Sequence, residues 1–241
     1  MKMIHIIQSD GDVPAGLVEG ELRRLGVEQR TIGLHISEAL PEISAVRALV
    51  VLGGAMGAND DQRHPFLTEL KRFIAQAMER EIPCLGICLG GQLLSLATGG
   101  ELYAGRDGEK GTYSVMLTDQ GEGDRLFHGV GQSFISFQWH DDSFSIPPAG
   151  TRLAFTGTCH NQAFRVGRRA WGVQFHPELS REIVAKWSSW SAETAARTGE
   201  FLAAFQEWEE EYLQVGRRLV ENFARIAGLL PSPCRAVSKQ S

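Results

Sequence analysis

The chain is poor in several things that would each commit it to a function. No segment approaches the ~20 consecutive apolar residues that cross a bilayer, so no membrane partner is expected. The apolar start, Met1-Lys2-Met3-Ile4-His5-Ile6-Ile7-Gln8, is too short for a secretory signal and reads as a first strand. Cysteine is scarce. Cys84, Cys88, Cys159 and Cys234 show no C-x-x-C and no zinc-type spacing. A disulfide scaffold is thereby excluded, and free thiols in a reducing cytoplasm are expected. Positive charge is in deficit, with 24 Lys and Arg against 29 Asp and Glu, a net charge of −5. General nucleic-acid binders are usually basic, and Lys110, Arg165, Arg168 and Arg169 form no aromatic-interleaved stripe, so no nucleic-acid partner is expected. His128, His140 and His160 make no H-x-H or H-E-x-x-H set, and no phosphate-loop or dinucleotide fingerprint occurs. The expectation is therefore no metal and no cofactor.

Glycine is the one excess: 27 in 241 residues, about 11% against a usual ~7%. Such a chain has many tight turns or close backbone approaches. Strand-like and helix-like segments alternate through the first hundred residues. Ile4–Ile7 is apolar and β-branched, and Val13–Leu25 has helical composition. Ala48–Leu52 is a continuous apolar run, suited to a central strand covered on both faces. Pro65–Glu81 places Phe66, Leu70, Phe73, Ile74 and Ala77 on one helical face. Pro83–Ile87 is a further short strand, and Leu89–Thr98 a helix stopped by Gly99-Gly100. This alternation predicts an α/β protein with a parallel sheet and helices on both sides. From Glu101 to Phe175 short strands and turns follow. Gln162–Val166 and Ala170–Phe175 flank Gly167 as a hairpin, so the sheet is expected to be mixed. Apolar residues at Phe201, Phe205, Trp208, Tyr212, Leu219, Phe223 and Ile226 predict a C-terminal amphipathic helix ended by Gly228 and Pro231. That stripe suits packing on the parent domain or a homodimer surface. Residues beyond Pro231 are expected to fray.

The segment Gly86-Ile87-Cys88-Leu89-Gly90-Gly91-Gln92 has the spacing G-x-C-x-G between a strand and a helix. A nucleophile on such an elbow needs small residues two before and two after it. The helix field favours the reactive thiolate, and the Leu89 N–H is free to stabilise an oxyanion. The same spacing also suits a structural cysteine at a tight turn. Cys84 lies within a strand and reads as a buried hydrophobe. A cysteine nucleophile needs a base and a group that orients the base. In Gly172-Val173-Gln174-Phe175-His176-Pro177-Glu178, His176 ends an apolar strand and Glu178, two residues on, can project to the same side. A strand-end histidine without that role is the alternative. The order Cys, His, Glu argues against an α/β-hydrolase, where the acid precedes the histidine.

G-I-C-L-G-G-Q followed by G-V-Q-F-H-P-E resembles the class I glutamine amidotransferases, in particular the amidotransferase domain of GMP synthetases. The resemblance covers residues 1–187, with 188–241 a helical extension outside it. It implies a flavodoxin-like three-layer α/β/α fold with a mostly parallel mixed central sheet. It implies Cys88 as nucleophile, His176 as general base and acid, and Glu178 as orienting carboxylate. It also implies hydrolysis of the glutamine side-chain amide through a γ-glutamyl thioester. By the same match Gly54, in Gly53-Gly54-Ala55-Met56-Gly57, pairs with Leu89 as oxyanion donor. Ala55 stands where the family often has proline, which leaves that loop less rigid. Gln92, Trp139, His140 and Asp141 match substrate-contacting positions, although Asp141 replaces a glycine. Glu109 and the Asp60-Asp61 pair suit turn-fixing and capping better than catalysis.

Three functions fit. One is a glutaminase passing ammonia to a synthetase in trans, since residues 188–241 carry no nucleotide-phosphate loop. A second is a stand-alone γ-glutamyl hydrolase using water. The third is a binding module with a vestigial site.

Overall fold

The computed structural model describes residues 3–231; Cys234 and the expected fraying beyond Pro231 fall outside them. The strands are β1 (Met3–Gln8), β2 (Gln29–Gly33), β3 (Val46–Val51), β4 (Cys84–Ile87), β5 (Leu102–Tyr103), β6 (Glu109–Leu117), β7 (Ser133–His140), β8 (Ser143–Phe144), β9 (Gly150–Phe155), β10 (Ala163–Val166) and β11 (Ala170–Val173). The helices are α1 (Gly16–Arg24), α2 (Phe66–Glu79), α3 (Leu89–Ala97), α4 (Asp119–Glu122), α5 (Arg181–Ser188), α6 (Ala192–Ala195) and α7 (Thr198–Ile226).

Nine strands form one sheet in the order β2-β1-β3-β4-β11-β10-β9-β6-β7. The β2, β1, β3, β4 and β11 portion is parallel. From β11 onward through β10, β9, β6 and β7 the pairing is antiparallel. The expected hairpin is therefore present, with Arg165 opposite Trp171. β5 and β8 make a separate small ladder.

Period-two alternation explains the layers. In β3, Ala48 and Val50 face one core, and Leu49 and Val51 the other. The first core is closed by Val18 and Leu22 of α1 and by Leu219, Val220 and Phe223 of α7. The second is closed by Leu67, Leu70, Phe73 and Ile74 of α2 and by Leu93 and Leu94 of α3. A strand buried on both faces has no polar face to show, hence its continuous apolar run. The result is a three-layer α/β/α arrangement, as the sequence pattern predicts.

A third cluster gathers Phe137, Trp187, Phe201, Phe205 and Tyr212 between β7, α5 and α7. The apolar stripe of α7 is thus spent on the chain's own cores rather than left open for a second copy. Only Trp208 on it remains well exposed, at 42%. Among the described residues, no helix is long and apolar enough to cross a membrane.

Candidate active site

β4 and β11 are neighbours, with Ile87 level with Val173. The two motifs therefore leave the sheet side by side, although they lie far apart in sequence. Cys88 follows β4 at φ 50°, ψ −108°, a conformation rarely adopted by a residue with a side chain. Such strain typically costs ~1–3 kcal/mol and persists only where its surroundings fix it. Here the Cys88 N–H donates to the Val173 carbonyl at 2.8 Å, and the Cys88 carbonyl accepts from Gln92 N–H at 2.9 Å. The flanking glycines are sterically required. A Cβ on Gly86 would lie 2.3 Å from the Gly90 carbonyl oxygen, and one on Gly90 would lie 2.1 Å from that of Val51.

β11 ends at Val173, three residues before the histidine expected at its end. His176 instead makes an isolated bridge, its N–H donating to the Phe137 carbonyl at 2.9 Å. Its Nδ1 donates to Glu178 Oε1 at 2.7 Å, and both side chains are buried. The Trp187 ring stands edge-on to the imidazole, centroids 4.7 Å apart, and fixes its plane. Nε2 is buried with no hydrogen-bond partner, and the Cys88 sulfur lies near enough to favour its protonation. Gly53 allows this meeting: a Cβ there would lie 3.1 Å from His176 Cε1 and 3.6 Å from Cys88 Cβ. Burial works against charge on His176, but the Glu178 carboxylate and the Cys88 sulfur outweigh it and raise the imidazole to about 10. A thiol, an imidazole and a carboxylate in this sequence of contacts can hold a thiolate–imidazolium pair. The other described thiols are buried, and burial pushes both Cys84 and Cys159 up to about 12.

Gly54 lies against Leu89: a Cβ on Gly54 would stand 2.9 Å from Leu89 Cδ2. Leu89 opens α3, so its N–H has no carbonyl one turn back to satisfy it. The Gly54 loop is tied down without a proline, because Ala55 N–H donates to Asp10 at 3.0 Å and Gly57 N–H to Asp60 at 2.9 Å. Asp61 fixes the same region through Thr68 and Lys71, each at 2.7 Å.

A pocket of about 300 Å³ opens over the thiol. It is lined by Cys88, Gly54, Gln92, Trp139, His140 and Asp141, bringing together six of the residues singled out from sequence, and also by Met56, Asp142 and Trp190. Asp141 is on the exposed rim, where it pairs with Lys110 at 2.7 Å. A larger groove of about 530 Å³, between α1 and α7, contains none of these residues. Two side chains escape notice in the sequence. Gln174 is fully buried, its Nε2 3.5 Å from Cys88 Sγ and its Oε1 3.4 Å from Gln92 Nε2. Tyr212, from α7, donates to the His176 carbonyl. A glutamine inside an otherwise apolar run was the available signal for Gln174; Tyr212 had none, being one member of an apolar stripe.

The glutamine amidotransferase class-I family model matches residues 17–183. The chain belongs to the class I glutamine amidotransferases. Among its relatives, a glutamine-hydrolyzing GMP synthase subunit of Archaeoglobus fulgidus is 32% identical over 165 residues, covering 68% of this chain and 82% of that one. The GMP synthase of Symbiobacterium thermophilum is 40% identical over 105 residues, 42% of this chain and only 20% of its own length. In three dimensions, a glutamine amidotransferase from Thermotoga maritima superposes with a TM-score of 0.83 at 27% identity, over 94% of this chain and 98% of that one. The flavodoxin-like fold of the family is thus the fold of this chain. The match to the Symbiobacterium GMP synthase spans a fraction of that protein, whereas the match to the Archaeoglobus protein spans most of it.

Proposed function

We propose that this class I amidotransferase hydrolyses the side-chain amide of L-glutamine through a γ-glutamyl thioester on Cys88 and supplies ammonia to a synthetase in trans. The observation that carries the reading is the strained elbow of Cys88 facing an imidazole already held by Glu178. His176 takes the thiol proton, and the thiolate attacks the amide carbon to form the C–S bond. The developing oxyanion is met by the N–H groups of Gly54 and Leu89, each such donor being worth ~3 kcal/mol in the transition state. His176 returns the proton to the leaving nitrogen, and ammonia departs. Water, deprotonated by His176, then cleaves the thioester to glutamate and restores the thiol. Gln92, Trp139, His140 and Asp141 are assigned to the substrate wall. The synthetase partner is inferred from relatives that are named as one subunit of a GMP synthase.

A second reading, a stand-alone γ-glutamyl hydrolase, is favoured by the aromatic rim. Trp139 and Trp190 line the pocket outside the thiol, their rings 6.5 Å apart, and could receive a substituent on the γ-amide. Ammonia and glutamate release should be measured with L-glutamine and a γ-glutamyl dipeptide side by side, with Cys88→Ala as control. Glutamine turnover lost in Cys88→Ala supports the first reading, and dipeptide turnover alone the second. Equal, slow labelling of every thiol by a glutamine-like electrophile overturns both.

A further inference from the structure

A second group of cysteine, histidine and glutamate lies behind the pocket, which its histidine lines, and the glutaminase chemistry makes no use of it as a unit. Glu109 and His140 are directly opposite on the β6–β7 ladder, and Cys159 is in the turn between β9 and β10. All three are buried, and one ligand atom from each lies within 4.8 Å of the others. The sequence gives no spacing signal for this group because each residue comes from a different part of the sheet.

The tautomer of His140 follows from its neighbours. Nδ1 is 3.0 Å from the Asp142 carbonyl oxygen, which can only accept, so Nδ1 carries the proton. Nε2 faces the group, where it is buried without a hydrogen-bond partner and is the ring nitrogen available to an ion. Its neighbour, Glu109 Oε2, is 3.5 Å away. That is long for a proton-bridged contact. It is close to the spacing of two atoms sharing one tetrahedral ion at bonds of ~2.0–2.1 Å.

Each residue is also held from behind. Glu109 accepts from Thr156 Oγ1 and Gln162 Nε2, both at 2.6 Å. Cys159 is fixed through its backbone, its N–H donating to Thr156 Oγ1 at 2.9 Å and its carbonyl accepting the Thr156 N–H at 2.9 Å. Supporting contacts of this kind orient metal ligands. We propose that Glu109, His140 and Cys159 bind one divalent transition-metal ion of zinc's class. The mixed sulfur, nitrogen and oxygen donors select such an ion over magnesium or calcium. Binding forms one bond from each ligand, and the Cys159 thiol loses its proton to solvent. The thiolate and carboxylate then balance the ion's two charges, as a buried site requires. No electron is transferred. The ion ties β6, β7 and the β9–β10 turn together behind the pocket and is a positioning element for its His140 wall.

The test uses the full chain, stripped with a chelator and titrated with Zn²⁺ and Co²⁺ alone. The expected result is one ion per chain at micromolar or tighter Kd, with a rise in Tm. His140→Gln and Cys159→Ser should each weaken binding at least tenfold, while Cys88→Ala leaves it unchanged. Should Cys159→Ser fail to fold, a Cys84→Ala, Cys88→Ala, Cys234→Ala triple variant leaves Cys159 as the one thiol of the chain. A thiolate-to-cobalt charge-transfer band persisting there supports the site. Absence of that band, no binding tighter than millimolar by the folded chain, or binding lost in Cys88→Ala overturns the proposal.

Discussion

The phenol of Tyr212 donates to the backbone carbonyl of His176 at 2.8 Å and accepts from the N–H of Leu179 at 2.7 Å. One hydroxyl on α7 therefore holds both ends of the loop that carries His176 and Glu178. Tyr212→Phe leaves the buried Leu179 N–H unpaired and the His176 carbonyl with only the 3.5 Å contact from Ser136 Oγ, at ~1–3 kcal/mol for an orphaned group. At ~2–4 °C per kcal/mol for a chain of this size, Tm should fall by several degrees. Glutamine turnover should show kcat reduced more than KM is raised. Thermal melts and steady-state kinetics check both; an unchanged kcat would show that the loop holds its geometry without the phenol.

Thiol chemistry should be confined to one position among the three described cysteines. A glutamine-like electrophile should modify Cys88 at least a hundredfold faster than Cys84 or Cys159, since burial pushes both of those up to about 12. Mass spectrometry of timed digests measures this. In His176→Gln the selective labelling should largely disappear.

His176 also predicts a pH dependence of stability. Burial opposes its charge, yet Glu178 and Cys88 raise it to about 10, above the 6.5 of a free imidazole. A raised value means that the fold retains a proton the unfolded chain has lost. The resulting stabilisation is fully present below pH 6.5 and declines as the pH climbs through about 10. Urea midpoints from pH 6 to about 10.5 should fall across that window in the native chain. They should fall less in His176→Gln.

Gly86→Ala and Gly90→Ala should each destabilise the fold. The added methyl meets backbone oxygen in both cases, at 2.3 and 2.1 Å, and neither oxygen belongs to a flexible side chain. Overpacking of this kind typically costs ~1–3 kcal/mol, and backbone collisions are at the upper end. Gly20→Ala is the control, having open space around it. Equal Tm values for all three would mean that the elbow relaxes more readily than its contacts suggest.

The central strands are legible because burial on both faces leaves a continuous apolar run, as in Val50-Val51-Leu52. The elbow is legible because its steric demands fall on glycines at fixed offsets from Cys88. β2 is not, since an edge strand written Gln-Arg-Thr-Ile-Gly buries only its last two residues and shows no period. The strand before His176 is shorter than its composition suggests, because Gln174 and Phe175 continue the buried run after the ladder has stopped at Val173. The grouping of Glu109, His140 and Cys159 depends on β6–β7 register and on a distant turn, neither of which local pattern encodes. Tyr212 and Gln174 act through single hydrogen bonds that only the completed packing creates.

β11 is not at an edge but between β4 and β10. In a chain emerging from the ribosome, the thiol is therefore made early, while the strand that delivers its imidazole, a central one, is made about eighty residues later. Until that strand is in place, Cys88 lacks the Val173 carbonyl that anchors its strained backbone and the histidine that would draw off its proton. The order of synthesis thus makes the thiol–imidazole pair complete only with closure of the β4–β11 pair.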